Sequence, residues 1–337
     1  MKTLFIGGTG NISLPCTREA TRRGIEVVHF NRGRTLPAGR ADVELLEGVQ
    51  TIRGDIRNAH EARSLLADHR FDCVVDWIAF TPEDIRRDVE LFRDRTNQFI
   101  FISSASVYHK PPNHYVITES TPAFNPYWEY SRNKIACEML LRQEYATDGF
   151  PSTIVRPSHT YSDGWFPTTF SSKDFTVPQR MVDGKSIVVH GDGQSLWTLT
   201  HSDDFAKGLA GLLGNPAAIG ESFHITSDEA LSWDQIHRTI GRALGVEPRI
   251  VHVPSDLIAR LSPQIGPSLM GDKQYSLVFD NTKIKRIVPG YTATIPFYEG
   301  MCRSVEWIDT HPERKVVDAE LDRLIDDIAS AVEPTIR

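Results

Sequence analysis

Tyr130 and Lys134 are the residues whose types and spacing point most directly to chemistry. Residues four positions apart on a helix project from the same face, one turn apart. A phenol with a pKa near ~10 is a poor base at neutral pH, but a nearby ammonium favours the phenolate and lowers that pKa. Tyr130 is therefore predicted to exchange a proton with a substrate hydroxyl or carbonyl. Ser104, at the tip of an apolar strand, supplies a hydroxyl that orients the same substrate oxygen.

A glycine-rich turn near the start of the chain predicts a phosphate-binding loop. The apolar run 4–6 ends at Gly7, Gly10 follows, and a segment able to form a helix begins near Ser13. Glycine allows backbone angles that a Cβ would forbid and a close approach of phosphate to the main chain. The N–H groups of the first helical turn would then hold the pyrophosphate of a dinucleotide. Ser13 replaces the third glycine of the usual fingerprint, and an ordinary strand-to-helix turn is the alternative that this loop alone leaves open.

The end of the second predicted strand indicates which dinucleotide binds. Asn31 stands where an NAD site usually carries an acidic residue for the ribose 2′-hydroxyl, and Arg32 and Arg34 follow it. Arginine at this place suits the 2′-phosphate of NADP. NADP is therefore the predicted cofactor and NAD the alternative. A solvated basic loop is the other interpretation of these residues.

Strands and helices alternate regularly after the glycine turn. Strands are predicted at 25–30, 49–56, 72–80, 98–103 and 152–156, and helices at 59–69, 82–93 and 130–141. This alternation predicts the α/β class, with a Rossmann-type, doubly wound parallel sheet. Ligands of such sheets bind at the carboxyl ends of the strands. The candidates there are Gly7–Gly10, Asn31–Arg34, Asp55, Trp77, Ile78, Ala79 and Ser103–Ser106.

The strict alternation stops after about Tyr161, which predicts a second domain. Residues 1–161 are expected to form the dinucleotide-binding domain, with a returning segment near 200–228 that includes a strand at 222–226. Residues 162–337 are expected to form mainly a smaller, mixed α/β substrate-binding domain that caps the cleft. Trp165 lies in this part and could line the substrate cleft or belong to the core of the cap.

The chain as a whole resembles an extended short-chain dehydrogenase/reductase, the family that includes nucleotide-sugar epimerases and dehydratases. The resemblance covers nearly the whole length and rests on the glycine turn 7–12, the segment 103–108, Tyr130-x-x-x-Lys134, Arg156-Pro157 and the segment 201–204. It implies that Ser104, Tyr130 and Lys134 form a catalytic triad. It also implies a homodimer built on a helix bundle and a tightly held cofactor. The residues that would line this cofactor are Gly7, Gly10, Asn11, Ile12, Arg32, Asp55, Ile56, Ala79, Lys134, Pro157, Ser158 and His159.

The substrate is less well defined than the cofactor. Ser106, Trp165 and Trp197 are the candidate substrate-binding residues. Relatives that act on nucleoside-diphosphate sugars commonly carry an arginine where this chain has Trp197, whose indole offers one donor and no charge. Trp197 can stack on a sugar or a base, or it can be a core residue. The Ser104–Ser106 segment lacks the acidic residue usual in dehydratases, so epimerisation and ketone reduction are the favoured reactions.

Composition excludes several other classes of protein. The net charge of −7 argues against general nucleic-acid binding, and no apolar run approaches the roughly 18 residues of a membrane helix. The four scattered cysteines show no metal or disulfide spacing, and the histidines show no metal motif. The chain enters a strand almost at once, which leaves no room for a signal peptide, so we expect a cytoplasmic enzyme.

The predicted function is NADP-dependent, alternatively NAD-dependent, hydride transfer at a secondary alcohol or ketone of a small sugar-like substrate. The substrate would be a sugar, a nucleoside or a nucleotide-sugar. A ketoreductase acting on a small molecule other than a sugar is one alternative. The other alternative is a non-catalytic relative that senses the cofactor or binds RNA. Such sensors typically lack the tyrosine, whereas Tyr130 and Lys134 are both present here.

Overall fold

The computed structural model describes residues 1–33, 48–170 and 173–332 of the 337-residue chain. Its strands are β1 Lys2–Ile6, β2 Glu26–Asn31, β3 Gln50–Arg53, β4 Cys73–Asp76, β5 Phe99–Ile102, β6 Val116–Ile117, β7 Ser152–Pro157, β8 His159–Tyr161, β9 Ser186–His190, β10 Leu196–Trp197, β11 Leu199–His201, β12 Ser222–Ile225, β13 Leu231–Ser232, β14 Arg249–Val253 and β15 Val278–Phe279.

The α-helices are α1 Ser13–Arg22, α2 Ala59–Leu65, α3 Pro82–Phe92, α4 Glu129–Asp148, α5 Thr176–Val182, α6 Ser202–Leu212, α7 Trp233–Ala243, α8 Ser255–Leu261, α9 Gly266–Ser268, α10 Thr282–Ile287, α11 Phe297–Thr310 and α12 Ala319–Ser330. A π-helical turn, Leu269–Lys273, follows α9, and short 3-10 turns lie at Ala105–Val107, Pro216–Ala218 and Pro312–Arg314.

Seven parallel strands form the central sheet, in the order β3-β2-β1-β4-β5-β7-β12. Leu4 is in register with Val28 on one side and with Val74 on the other. The chain starts at the middle of the sheet and winds outward in both directions, so the predicted doubly wound α/β fold is confirmed. The strand β12 lies beside β7 at the edge of this sheet, although it follows the first elements of the cap in sequence.

Alternation along the strands builds a core on each face of the sheet. Leu4 and Ile6 belong to one buried cluster, while Phe5 between them belongs to the other. Successive side chains of a strand point to opposite faces, so a strand covered on both faces is apolar throughout. Helix α6 packs beside α1 over the second face. A third buried cluster, which includes Trp233, lies mainly among β9, α7 and other elements of the C-terminal half, and Ala105, Tyr108 and Ile117 also belong to it. The division into domains at residue 161 stays a prediction.

The strand predicted at 72–80 is shorter than expected, because β4 ends at Asp76. The Asp76 side chain accepts hydrogen bonds from the backbone N–H groups of Ile78, at 2.6 Å, and Ala79, at 2.8 Å. These bonds turn the chain out of the sheet directly after the strand. Residues 77–80 therefore form a loop at the carboxyl edge of the sheet.

The start of α3 and the end of α4 are both set by local sequence signals, and α4 carries the catalytic candidates. Helix α3 begins with a capping box between Thr81 and Asp84, with Pro82 in its first turn. Helix α4 extends beyond the predicted 130–141 and ends where Gly149 adopts a φ of +69°. A glycine is favoured there because a Cβ is strained in the left-handed region. Tyr130 thus lies in the first turn of a 20-residue helix.

Candidate active site

Lys134 is fixed by two backbone carbonyl groups. Its buried ammonium donates hydrogen bonds to Ala79 O at 2.7 Å and Ile102 O at 2.8 Å. The rings of Phe80 and Phe101 flank it, with their centroids 4.6 and 4.7 Å from Nζ. Burial lowers the pKa of Lys134 to about 8, although neighbouring acidic groups oppose this effect. The ammonium therefore ties the loop after β4 to the end of β5.

Tyr130 lies one helical turn from Lys134, between two aromatic rings. Its ring centroid is 6.3 Å from that of Phe80 and 4.9 Å from that of Trp128. Burial raises the pKa of Tyr130 to about 12, and a hydrogen bond from Ser104 works in the opposite direction. The predicted lowering of this pKa by Lys134 is not produced by the residues of the chain, because the ammonium is directed at backbone carbonyls. Its Nζ lies 5.8 Å from the centre of the Tyr130 ring.

A short chain of hydroxyl groups orients Ser104. Its oxygen accepts a hydrogen bond from the backbone N–H of Ser106 at 3.1 Å and lies 2.9 Å from the Ser106 hydroxyl. The Ser106 hydroxyl accepts in turn from Ser131 at 2.8 Å. Because the backbone N–H of Ser106 already donates to its oxygen, the Ser104 hydroxyl can donate its own proton towards Tyr130 or a substrate oxygen. Ser106, predicted to bind substrate, therefore uses its hydroxyl within the protein.

Ser104 and Tyr130 line a cavity of about 260 Å³, which we call the small pocket. The structure brings five further predicted residues to it: the substrate candidates Ser106 and Trp197, and Pro157, Ser158 and His159, which were predicted to bind the cofactor. The sequence analysis missed the other side chains that line the cavity, which are Trp128, Ser268, Asp272, Lys273, Leu277 and Phe279. These residues come from segments far apart in the sequence, and none of them belongs to a recognisable motif.

Trp197 fits both of the interpretations left open by the sequence. Its ring is 5% exposed and lies 5.7 Å from the Trp233 ring, centroid to centroid, in the core of the C-terminal half. It also lines the small pocket. Its buried Nε1 donor has no hydrogen-bond partner among the residues that the structure describes. An indole in this place gives the pocket an apolar wall with one donor.

The charged groups of the small pocket are engaged by the protein. The Lys273 ammonium donates to Thr168 O at 3.2 Å and Thr169 O at 3.0 Å, and burial lowers the pKa of Lys273 to about 8. An Asp272 oxygen lies 3.4 Å from the buried Nζ of Lys110. Burial, assisted by the charge of Lys273, lowers the pKa of His159 to about 3, so its imidazole is neutral at physiological pH.

A second cavity, of about 490 Å³, lies at the carboxyl ends of β1, β2 and β3, and we call it the glycine cleft. It brings together eight of the sixteen predicted cofactor residues, and its lining residues are Gly7, Thr9, Gly10, Asn11, Phe30, Asn31, Arg32, Gly54, Asp55, Ile56, Ile78, Trp165 and Lys173. Trp165, predicted to bind substrate, lies in this cleft and not in the small pocket. Arg34 falls outside the described residues.

The glycine turn has the backbone geometry of a close-approach site. Gly7 has a φ of +88°, and a Cβ on it would lie 2.6 Å from Cγ2 of Ile78. The Ser13 hydroxyl accepts from Gly10 N at 2.7 Å and donates to Gly7 O at 3.0 Å. Ser13 therefore closes the turn from inside. The first turn of α1 offers few donors of its own, because Leu14 N already donates to Gly10 O at 3.0 Å, Cys16 N donates to Ile12 O at 3.3 Å, and Pro15 has no N–H group. These residues fit a bound dinucleotide pyrophosphate.

Three predicted cofactor residues use their side chains elsewhere. The Trp77 indole packs against Phe5 and Phe205 on one face of the sheet, with centroid distances of 5.7 and 6.5 Å. Ile12 packs against the same core. The Asn11 amide donates to a carbonyl of β8 at 3.2 Å and accepts from Ser162. Trp77 was predicted from its place at a strand end, but the turn set by Asp76 directs its side chain into the core.

Two other properties of the described ranges bear on function. No helix there is long and apolar enough to cross a membrane. No group of three or more histidine, cysteine, aspartate or glutamate residues in these ranges is arranged to hold a metal ion.

The comparisons with known proteins point to one family. The model of the NAD dependent epimerase/dehydratase family matches residues 3–226. A chloroplast stem-loop binding protein of 41 kDa from Arabidopsis thaliana is 28% identical over 74% of this chain. A dTDP-glucose 4,6-dehydratase from Streptomyces antibioticus is 25% identical over 86% of this chain and 86% of its own length.

The fold is shared with proteins of known structure. The UDP-glucuronic acid 4-epimerase from Bacillus cereus, in complex with UDP-glucuronic acid and NAD, superposes with a TM-score of 0.72. The two share 21% identity over 92% of this chain and all of that one. The match to the stem-loop binding protein spans 65% of that relative's length.

Proposed function

The chain belongs to the NAD dependent epimerase/dehydratase family, and from that premise we propose that it transfers hydride at a secondary alcohol or ketone of a sugar, nucleoside or nucleotide-sugar. It is an NAD(P)-dependent enzyme of the extended short-chain dehydrogenase/reductase type. One observation carries the proposal: Tyr130 and Ser104 line the small pocket together, while Lys134 lies one turn along the same helix as Tyr130 and holds the loop beside the glycine cleft.

The residues of the glycine cleft that would hold the dinucleotide are the turn Gly7–Gly10, Asp55 and Ile56, with Ile78 as an apolar wall. When bound, the nicotinamide accepts or returns a hydride, and its oxidised form adds a positive charge that favours a phenolate. The Tyr130 Oη then donates its proton to a substrate carbonyl or takes one from a substrate hydroxyl. Ser104 donates a hydrogen bond to the same oxygen. Lys134 keeps the loop after β4 in place.

A Tyr130→Phe variant tests the proposed role of the phenol. General acid–base catalysis contributes on the order of 10²–10⁴-fold, so kcat should fall by about that factor while NAD affinity stays unchanged. Tyr127→Phe, in an exposed tyrosine three residues earlier, is the matched control and should keep the wild-type rate. Substrates are first sought by mass spectrometry of nucleotides released on denaturation and by assays with UDP-glucose and dTDP-glucose. Wild-type turnover by Tyr130→Phe would contradict the proposal.

The reaction type follows from what happens to the hydride. An epimerase returns it to the same substrate and retains its cofactor at full occupancy, whereas a ketoreductase releases an oxidised or reduced nucleotide. We propose epimerisation or reduction over dehydration, because Ala105 follows Ser104 where an acidic residue would serve a dehydratase. Stoichiometric nucleotide in the purified protein, with no net change in absorbance during turnover, favours the epimerase.

We propose that Arg32 selects NADP over NAD. Asn31 ends β2 at the glycine cleft, and the exposed Arg32 follows it where a 2′-phosphate would need a cation. The bound NAD of the Bacillus cereus epimerase supports the opposite choice. Calorimetric affinities of both nucleotides for the wild type and Arg32→Asp decide between them. A wild type that binds NAD more tightly than NADP makes the NADP assignment wrong.

RNA binding is the competing proposal, and the stem-loop binding relative is the observation that favours it. The net charge of −7 opposes it, because a nucleic-acid interface normally carries a basic excess. Titration of the protein with a stem-loop RNA at low and high salt tests this alternative. We expect no saturable binding, and a salt-sensitive complex that survives Tyr130→Phe would support the binder.

We also propose a cytoplasmic homodimer. The buried Cys16, Cys73 and Cys137 are free thiols, as is the exposed Cys302, which suits a reducing compartment. Sedimentation velocity at micromolar concentration and fractionation of the producing cells test the two parts of this proposal. A monomer in sedimentation would contradict the first part, and secretion of the protein would contradict the second.

A further inference from the structure

Two buried carboxyl groups lie at the end of β4. Asp76 and Asp88 are both 0% exposed. One oxygen of each is accounted for: Asp76 Oδ1 accepts from Ile78 N and Ala79 N, and Asp88 Oδ1 accepts from Arg87 at 2.7 Å. The second oxygen of each, Oδ2, has no hydrogen-bond donor within the described part of the chain. An unpaired carboxylate oxygen in such a place is costly, because it has lost its water.

The charges around this pair do not balance if every carboxyl group is ionised. The Arg87 guanidinium lies 2.9 Å from Asp84, 2.7 Å from Asp88 and 3.8 Å from Asp76. The ammonium of Lys134, on α4, also interacts electrostatically with Asp76 and Asp84, but its hydrogen bonds go to backbone carbonyls. Two adjacent buried carboxylates beside one shared guanidinium cannot both ionise cheaply.

We propose that Asp88 is a neutral carboxylic acid that donates its proton to Asp76, and that it thereby positions the loop Ile78–Ala79. The two side chains are hydrogen-bonding neighbours that share Nη2 of Arg87, so one proton between the two carboxyl groups gives each of them a further hydrogen-bond partner. The proton itself follows from this geometry alone. The positioning role rests on the proposed function, because the loop matters through the cofactor cleft and Lys134.

The consequences of that proton reach the active site in two steps. It fixes the Asp76 carboxylate, whose other oxygen holds the N–H groups of Ile78 and Ala79. Ile78 lines the glycine cleft, and the carbonyl of Ala79 accepts from the ammonium of Lys134. Asp88 touches neither the cleft nor the small pocket, so it acts through Asp76 as a positioning residue.

The protonation has a defined pH signature. Burial raises the pKa of Asp88 well above its ordinary value, the charge of Asp76 raises it further, and Arg87 opposes both effects. The folded protein therefore keeps a proton that the unfolded chain releases near pH ~4. Relative to a variant without this proton, the equilibrium constant for unfolding of the wild type should rise about tenfold for each pH unit above ~4, up to the raised pKa of Asp88.

Asp88→Asn and Asp88→Leu form a matched pair of variants. The amide of Asn keeps a donor towards Asp76, whereas Leu fills the volume without one. At neutral pH, infrared spectra should show a neutral carboxylic acid carbonyl band in the wild type that Asp88→Asn lacks. Asp88→Asn should bind NAD within about twofold of the wild type, and Asp88→Leu about tenfold more weakly, as expected for an unpaired buried acceptor.

The outcomes separate this inference from the proposed function. The infrared band and the pH slope of unfolding need no nucleotide, so they test the proton even if NAD does not bind. Identical infrared spectra of the wild type and Asp88→Asn would overturn the shared proton. Wild-type NAD affinity in Asp88→Leu would overturn the positioning role. A wild type that binds neither NAD nor NADP would overturn both the proposed function and the positioning role.

Discussion

Deprotonation of Lys134 above about pH 8 should stabilise the fold of this protein and weaken its catalysis. Burial lowers the pKa of Lys134 from 10.5 to about 8. Between these two values the unfolded chain binds a proton that the folded protein has released. The free energy of unfolding therefore rises with pH in this window. The gain contributed by Lys134 is fully present above pH 10.5 and is lost as the pH falls through about 8.

The magnitude follows from the same shift. At 1.36 kcal/mol for each pH unit, the full difference corresponds to about 3 kcal/mol. Lys134 is 1% exposed, so solvent screens this value little. Tyr130 acts in the opposite direction above pH ~10, because burial raises its pKa to about 12. The effect of Lys134 should therefore be measured below that pH.

Urea unfolding without added nucleotide, between about pH 7 and about pH 10, measures the stability part. The wild type should gain about 2 to 3 kcal/mol relative to Lys134→Met over this range. Lys185→Met, in a lysine whose side chain is 45% exposed, is the control and should parallel the wild type. In the same range kcat should fall about tenfold for each pH unit above about 8, because the ammonium that orients the loop is lost. Parallel stability curves for the wild type and Lys134→Met would refute this reasoning.

Three further substitutions have expected outcomes. Arg156 and Glu138 form an ion pair at 2.5 Å, and both side chains are 3% exposed. Glu138→Ala leaves the buried guanidinium without its carboxylate, so chemical denaturation should show a loss of about 3–5 kcal/mol in the free energy of unfolding. Gly8→Ala would place a Cβ 2.4 Å from Nε2 of the buried His29. Thermal unfolding should therefore show a loss of about 1–3 kcal/mol in stability. Wild-type stability would contradict the packing of this turn. Ser131→Ala removes the first donor of the hydroxyl chain, so kcat should fall about fivefold at constant KM, and a change confined to KM would argue against its orienting role.

Much of the architecture follows from local patterns in the sequence. The alternation of apolar strands with helices predicts the parallel sheet, because each strand and helix shows its own period. The carboxyl ends of parallel strands meet at one edge, so Gly7, Asn31 and Asp55 come together in the glycine cleft without any further information. The four-residue spacing of Tyr130 and Lys134 likewise sets their common helix face.

The small pocket depended on contacts that no local pattern contains. Asp272 and Lys273 lie in a π-helical turn more than a hundred residues beyond Tyr130, and they belong to no sequence motif that would have predicted their place in the pocket. Trp77 and Trp165 occupy positions that suit a ligand site by sequence. The structure directs one into the core and the other into the glycine cleft.

The sequence by itself determined the parallel, doubly wound class of the sheet, the cofactor edge and the pairing of a phenol with an ammonium, because these depend on periodicity and chain direction. Tertiary structure alone decided the protonation of those groups. The pKa of Tyr130 is raised and that of Lys134 is lowered by burial, and burial is set by side chains distant in sequence. The same holds for the unpaired oxygens of Asp76 and Asp88, since only the packed fold removes water from both.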